Sequence, residues 1–255
     1  MGLFDKKYCD ICGEKIGLLG NRKLADGNCC KNCAAKLSKW FTGRKKSTVE
    51  DIKEQLAYRE ENAKAVEAFK VTRTLGDDDK VLLDEDAGKF VVVSGRNWKE
   101  SNPDVIDFSQ VTGCQVDTSE SRSEERRRLP DGKTESYKPP RYNYSYRFTM
   151  NIYVNHPYFD EMSMDLNGSS IEVGYHEVAR HGSAGAALQY NARYNQVMQL
   201  AEDIRASITR MHDETRAAVQ EANTPKQAVV CPWCGATTIP DENGKCEYCG
   251  GAVNG

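Results

Sequence analysis

Ten cysteines stand out in this chain of 255 residues, and their placement matters more than their number. Five fall in the first 33 residues, four in the last 25, and Cys114 alone lies between. The first group reads Cys9-Asp-Ile-Cys12, seventeen residues beginning with Gly13, then Cys30-Lys-Asn-Cys33. A two-residue spacer folds into a knuckle that points both sulfurs at one ion, and two such knuckles supply the four thiolates of a tetrahedral site. The second group repeats the device more tightly: Cys231-Pro-Trp-Cys234, eleven residues beginning with Gly235, then Cys246-Glu-Tyr-Cys249-Gly250. Expected ligands are therefore Cys9, Cys12, Cys30 and Cys33 at one end and Cys231, Cys234, Cys246 and Cys249 at the other, with one structural Zn2+ in each. Iron is held by similar paired knuckles, and Cys29 offers a C-x3-C alternative to Cys30. All four positions of each site are filled by protein, which leaves no open position for a metal-activated water.

Elsewhere no catalytic constellation is found. His176 and His181 flank a run resembling a zinc-protease motif, but they are five residues apart. That spacing separates them by about 140° around a helix, off any common face. No nucleophile elbow, phosphate-binding glycine loop or dinucleotide fingerprint occurs. Cys114, in an apolar run, reads as a buried inert thiol. The expectation is a non-enzymatic protein.

Net charge is −3, but it is unevenly distributed. Residues 1–46 carry eleven Lys and Arg against four Asp and Glu, while residues 71–185 sum to −6. The basic end suits an acidic partner, or nucleic acid through Arg22, Lys23, Arg44, Lys45 and Lys46. No apolar stretch approaches the length of a membrane span and no signal-peptide pattern opens the chain, so a cytoplasmic protein is expected.

The elements that position these groups follow from periodicity. Ile16–Leu24 reads as a short hairpin with a turn at Asp26-Gly27, and Ala34–Phe41 as a helix covering the first site. Ser47-Thr-Val-Glu50 is a capping box ahead of a helix to Phe69. From Val71 the period becomes two, with about seven short strands to Leu166 and no helix between them, which argues for an antiparallel barrel or sandwich. The first hairpin, Gly76-Asp-Asp-Asp-Lys80, would repel an anionic headgroup. Residues 119–145, with their charge run and Pro139-Pro140, read as a mobile loop in which Arg126, Arg127 and Arg128 are solvated. One helix of 37 residues is expected over Ala186–Ala222, before Pro225, and its 4-3 apolar steps could also pair two chains as a homodimer.

This layout is α+β and multidomain. It divides into a four-cysteine finger over 1–46, a connecting helix over 47–70, a barrel over 71–185, a long helix over 186–224 and a zinc ribbon over 225–255. Knuckle, hairpin, second cysteine pair and helix together look like a treble-clef-type zinc finger. The stretch from Cys9 through Gly17-Leu-Leu-Gly20 and Leu24-Ala-Asp-Gly27 to Lys36-Leu37 is similar to a zinc-finger-like domain of unknown function found at the N-termini of Firmicutes proteins. The strand run with its C-terminal helix resembles bacterial pleckstrin-homology-like barrels, and the C-terminus resembles the generic bacterial zinc ribbon. These resemblances imply a bacterial cytoplasmic protein and supply no activity. Three functions follow: an adaptor binding protein partners through the barrel, a nucleic-acid binder using the basic finger, and a thiol sensor using Cys29 and Cys114.

Overall fold

The computed structural model describes residues 7–223, 228–241 and 243–253. Pro225, expected to stop the long helix, lies outside them. The chain divides into two compact units, Met1–His212 and Asp213–Gly255.

The first unit opens with two small hairpins. β1 (Lys7–Tyr8) pairs with β2 (Lys15–Ile16), and β3 (Arg22–Lys23) pairs with β4 (Asn28–Cys29). The single hairpin expected over 16–24 is thus replaced by two, because a tight turn over Gly17–Gly20 hands the chain from one to the other. α1 (Lys31–Ala35) follows, starting three residues earlier than expected and ending well short of Phe41, with the Cys30 sulfur accepting from the Cys33 N–H at its start.

α2 (Val49–Ala68) is capped by Thr48 and Asp51, one residue past the capping box read at Ser47. The Ser47 hydroxyl instead donates to the Gly43 carbonyl, and Asp26 accepts from the Val49 N–H, so the finger itself caps this helix. Gly27 makes that approach feasible: a Cβ there would lie 2.6 Å from Val49 Cγ2 and 2.8 Å from Asp10 Oδ2.

The strands form two four-stranded antiparallel sheets. The first joins β5 (Arg73–Gly76), β6 (Asp79–Asp84), β7 (Lys89–Ser94) and β8 (Ile106–Asp107) in chain order. β6 and β7 carry continuous apolar runs because both faces are covered. Val81, Leu83, Phe90 and Val92 face the main core, while Leu82, Val91 and Val93 pack with Phe69 and Trp98. The second sheet is built on β9 (Val111–Arg128) and β10 (Thr134–His156), with β11 (Phe159–Asp165) and β12 (Ile171–Val173) end to end along the far edge of β10. No ladder among the described residues joins the two sheets into the closed barrel expected over 71–185.

Residues 119–145 correct the sequence reading. They are ordered strand, paired from Ser119↔Arg147 to Arg128↔Thr134 around a turn at Asp131-Gly132. Their polar sequence lacks the alternation of a half-buried strand because most of this part of the hairpin is exposed on both faces, with only its base, at Tyr144, reaching the main core. Cross-strand contacts take the place of burial: the Arg122 guanidinium lies 4.4 Å from the Tyr142 ring centre, and Arg127 pairs with Glu135 at 3.0 Å. Tyr137–Pro140 bulge out of β10.

The expected 37-residue helix is also divided. α3 (Tyr175–His181) and α4 (Ala184–Gln189) precede α5 (Ala192–Asn223). Asn191 interrupts the pattern, its side-chain oxygen accepting from the N–H groups of Arg193 and Tyr194. Val197, Ala201, Ile204, Ile208 and Met211 of α5 bury themselves in the main core with Phe148, Ile152 and Met164. The seam considered for pairing two chains is therefore occupied, as far as Met211, by the protein's own sheets.

A buried ion pair holds the first unit together. Arg59 on α2 and Asp104 before β8 approach to 2.7 Å, with side chains only 7% and 1% exposed. Asp104 also accepts from Ser38 Oγ at 2.7 Å and Tyr58 OH at 3.1 Å, and Arg59 Nε donates to the Lys36 carbonyl. Asn62 seals the same node, donating to Pro103 O and accepting from Val105 N. Arg59→Ala leaves the Asp104 charge buried without its cation, and is expected to cost about 3–5 kcal/mol, read from the urea midpoint of unfolding.

Candidate metal centres

Each knuckle is built by the backbone before any metal is considered. In the first, Cys9 N–H donates to the Glu14 carbonyl and Gly13 N–H to the Cys9 carbonyl at 2.8 Å, closing a turn that needs the positive φ of Gly13 (75°). Asp10 ties this knuckle to β4: its N–H donates to the Asn28 carbonyl, and its carboxylate accepts from the Asn28 N–H at 2.6 Å. The second pair sits at the head of α1. Cys9 Sγ accepts from the Cys30 N–H at 3.2 Å and Cys30 Sγ from the Cys33 N–H at 3.3 Å. Ile16, Leu24 and Ile52 close the site from behind, so the start of α2 completes the finger's small core.

The C-terminal site is two copies of one knuckle. Cys231 N–H donates to Ala236 O and Gly235 N–H to Cys231 O; Cys246 N–H donates to Gly251 O and Gly250 N–H to Cys246 O. Gly235 and Gly250 take nearly the same positive φ, 72° and 69°. β13 (Val229–Val230) and β14 (Thr237–Thr238) form the flanking hairpin of the first copy. Among the described residues here the buried apolar ones are Cys231, Cys246 and Val253, too few to fold a segment of this length by burial alone.

Both sets of four sulfurs are gathered: within each, all four lie within 4.8 Å of one another. Individual separations are 3.8 Å for Cys12–Cys30, 3.6 Å for Cys231–Cys249 and 3.8 Å for Cys234–Cys246. The edge of a tetrahedron with metal–sulfur bonds of about 2.3 Å is about 3.8 Å, so the spacing fits Zn2+ without rearrangement. The electrostatics agree. Burial raises the Cys9 thiol, yet the N–H groups of Cys12, Cys30 and Ile11 outweigh it and bring Cys9 down to about 6. Burial and its sulfur neighbours push Cys33 the other way. Four thiols packed this closely ionise together only around a cation.

The expected ligand sets are therefore assembled as the spacing implied, with Cys30 and not Cys29 in the first. Cys29 is not one of the four gathered sulfurs; its thiol donates to the Cys30 carbonyl, and burial pushes it up to about 11. Cys114 lies half-buried in β9 and is also raised to about 11 by burial. Of the basic residues singled out, Arg22, Lys23, Arg44 and Lys45 line one open depression of about 650 Å3 beside β3. Arg44 Nη1 donates to the Lys23 carbonyl at its edge, and Lys46 is not part of the lining. One feature had no signal in local sequence. A cavity of about 780 Å3 lies between the finger, α2 and β7, with Cys12, Lys36, Leu56 and Val92 among its walls. Its residues are brought together by the Arg59–Asp104 node across 45 positions.

Residues 7–55 match a family described as a domain of unknown function (DUF4428). The match takes in both hairpins, all five N-terminal cysteines and the first turns of α2, which is the extent of the finger's core. No curated protein and no solved structure matches the chain. Among the described residues no helix is long and apolar enough to cross a membrane.

Single substitutions separate ligands from bystanders. Cys30→Ser and Cys246→Ser are each expected to lower the bound metal by one ion per chain, while Cys29→Ser leaves it unchanged, as measured by elemental analysis of the purified proteins.

Proposed function

We propose that the protein is a non-enzymatic adaptor in which two structural Zn2+ ions, held by Cys9, Cys12, Cys30 and Cys33 and by Cys231, Cys234, Cys246 and Cys249, shape modules that bind other proteins. When bound, each ion neutralises the thiolates and fixes the knuckles; it has no open position for substrate. The observation that carries this reading is what the metal-bearing segments expose. The ribbon presents Trp233 (74% exposed), Tyr248 (70%), Val230 and Ile239, and the finger presents Leu18 and Leu19 at a turn. Aromatic side chains held rigidly at a surface are typical anchors of protein interfaces. Trp233 is held in this way, by its Nε1 donating to the Ala252 carbonyl at 3.1 Å and by its ring packing over Gly251. The pleckstrin-homology-like reading of the middle belongs to this proposal. Two antiparallel sheets followed by α5 support it, and the acidic β5–β6 turn turns it towards protein rather than anionic lipid.

A second reading, binding to nucleic acid, is favoured by the convergence of Arg22, Lys23, Arg44 and Lys45 on one depression. The thiol-sensor reading gains no such support, since both spare thiols are buried enough to stay protonated.

Salt separates the two. Four phosphate contacts imply that affinity for duplex DNA falls about a hundredfold between 50 and 200 mM salt. The adaptor reading predicts no measurable binding to DNA at 150 mM salt, and loss of partner capture when Trp233→Ala and Tyr248→Ala are combined in a protein that keeps both metals. Tight, salt-sensitive DNA binding abolished by Arg44→Ala would replace the adaptor with the second reading.

A further inference from the structure

The long hairpin of β9 and β10 has a free edge. Among the described residues β9 pairs with β10 and with no other strand. Residues 117–128 of β9 are exposed, apart from the half-buried Glu125. Alternate backbone N–H and C=O groups along that stretch point outward, a ready template for another strand. Exposed edges are commonly blunted by proline, by a bulge or by charged side chains. β9 contains no proline, its one extra residue, Thr112, lies outside the exposed stretch, and its charges are of both signs, so they can pair across two copies as well as repel.

Their order has a symmetry. Around Ser123 the sequence is Ser119-Glu-Ser-Arg122-Ser-Glu124-Glu-Arg-Arg127, and reflection about Ser123 sets Arg122 opposite Glu124 and Glu120 opposite Arg126. The same reflection sets Ser121 opposite Glu125 and Ser119 opposite Arg127. We propose that β9 is a self-association edge, through which two copies of this chain pair antiparallel about Ser123. Across the resulting two-fold axis, paired residues lie on the same face of the joined sheet. Glu120, Arg122, Glu124 and Arg126 share one face, so four opposite-charge pairs form there. Arg122 is already held on that face by its stacking on Tyr142.

The pattern also selects the register. Identical edges expose the same alternate residues, so only pairings centred on a residue are allowed. Centring on Arg122 sets arginine against arginine and Glu120 against Glu124. Centring on Glu124 sets glutamate against glutamate and Arg122 against Arg126. Both neighbours of the Ser123 register are thus repulsive, which is how a strand specifies one partner and one alignment. The occupant is accordingly a second copy rather than an unrelated strand.

The test uses the full chain with its metals and reads mass by sedimentation equilibrium. The wild type is expected at twice the chain mass at micromolar concentration and moderate salt, shifting towards single chains as salt rises. Glu120→Arg with Glu124→Arg makes the face uniformly positive, and Arg122→Glu with Arg126→Glu makes it uniformly negative. Each double variant is expected to sediment as a single chain, and an equimolar mixture to recover the doubled mass, with one of each per particle. All four side chains are exposed; the variant that replaces the glutamates keeps the Arg122–Tyr142 contact and should match the wild type in circular dichroism and metal content, and the same two measurements check that the variant that replaces the arginines, which loses that contact, stays folded. A wild type that stays a single chain, a double variant that still dimerises, or a mixture that fails to recover the doubled mass would overturn the proposal.

Discussion

The carboxylate of Asp104 sits where three parts of the first unit meet. It takes a hydrogen bond from Ser38 at the tail of the finger, one from Tyr58 and an ion pair from Arg59 on α2, and it lies on the chain that enters β8. A charge buried this deeply is tolerable only when every lone pair is answered, and here donors from two other segments answer it. The finger, the connecting helix and the first sheet are thereby held in one arrangement, and the cavity beneath the finger exists because of it. The pairing need not add net stability relative to a well-packed apolar replacement. Its contribution is specificity: no other placement of α2 supplies both a guanidinium and a phenol to that carboxylate.

The cysteine sites obey the same logic at smaller scale. Knuckle N–H groups point at sulfur before a cation arrives, so the site is shaped by backbone turns and closed by charge. In the finger, α2 adds Ile52 to the core behind the site. Among the described residues of the ribbon nothing comparable is added, and their buried core is Cys231, Cys246 and Val253. The two ends thus depend on metal to different degrees, although they carry the same donors.

What could be read from the sequence was what is local. The C-x2-C spacing located all eight gathered sulfurs because a knuckle is a short-range turn, and the apolar runs located β6 and β7 because burial leaves a pattern. The hairpin over 119–145 escaped because its stability comes from cross-strand pairs such as Arg122–Tyr142, which leave no periodicity. Arg59 carries no local signal of its role because its partner lies 45 positions away. Tyr190 fitted the apolar steps of one long helix, yet Asn191 caps a new one, and Tyr190 stacks on His181 instead. The cap of α2 was misplaced by one residue, since Ser47 and Thr48 are both good caps and the choice is made by Asp26 from the finger.

The central claim is that metal shapes the two ends while burial shapes the middle. Hydrogen exchange of the full chain, before and after removal of metal by a strong chelator, tests it most directly. The account predicts that amides of the Cys9–Cys33 and Cys231–Cys249 segments lose protection together with the loss of two ions per chain, while β6, β7 and β10 keep theirs. Unchanged protection at both ends after complete metal removal, or collapse of the central strands along with them, would contradict it.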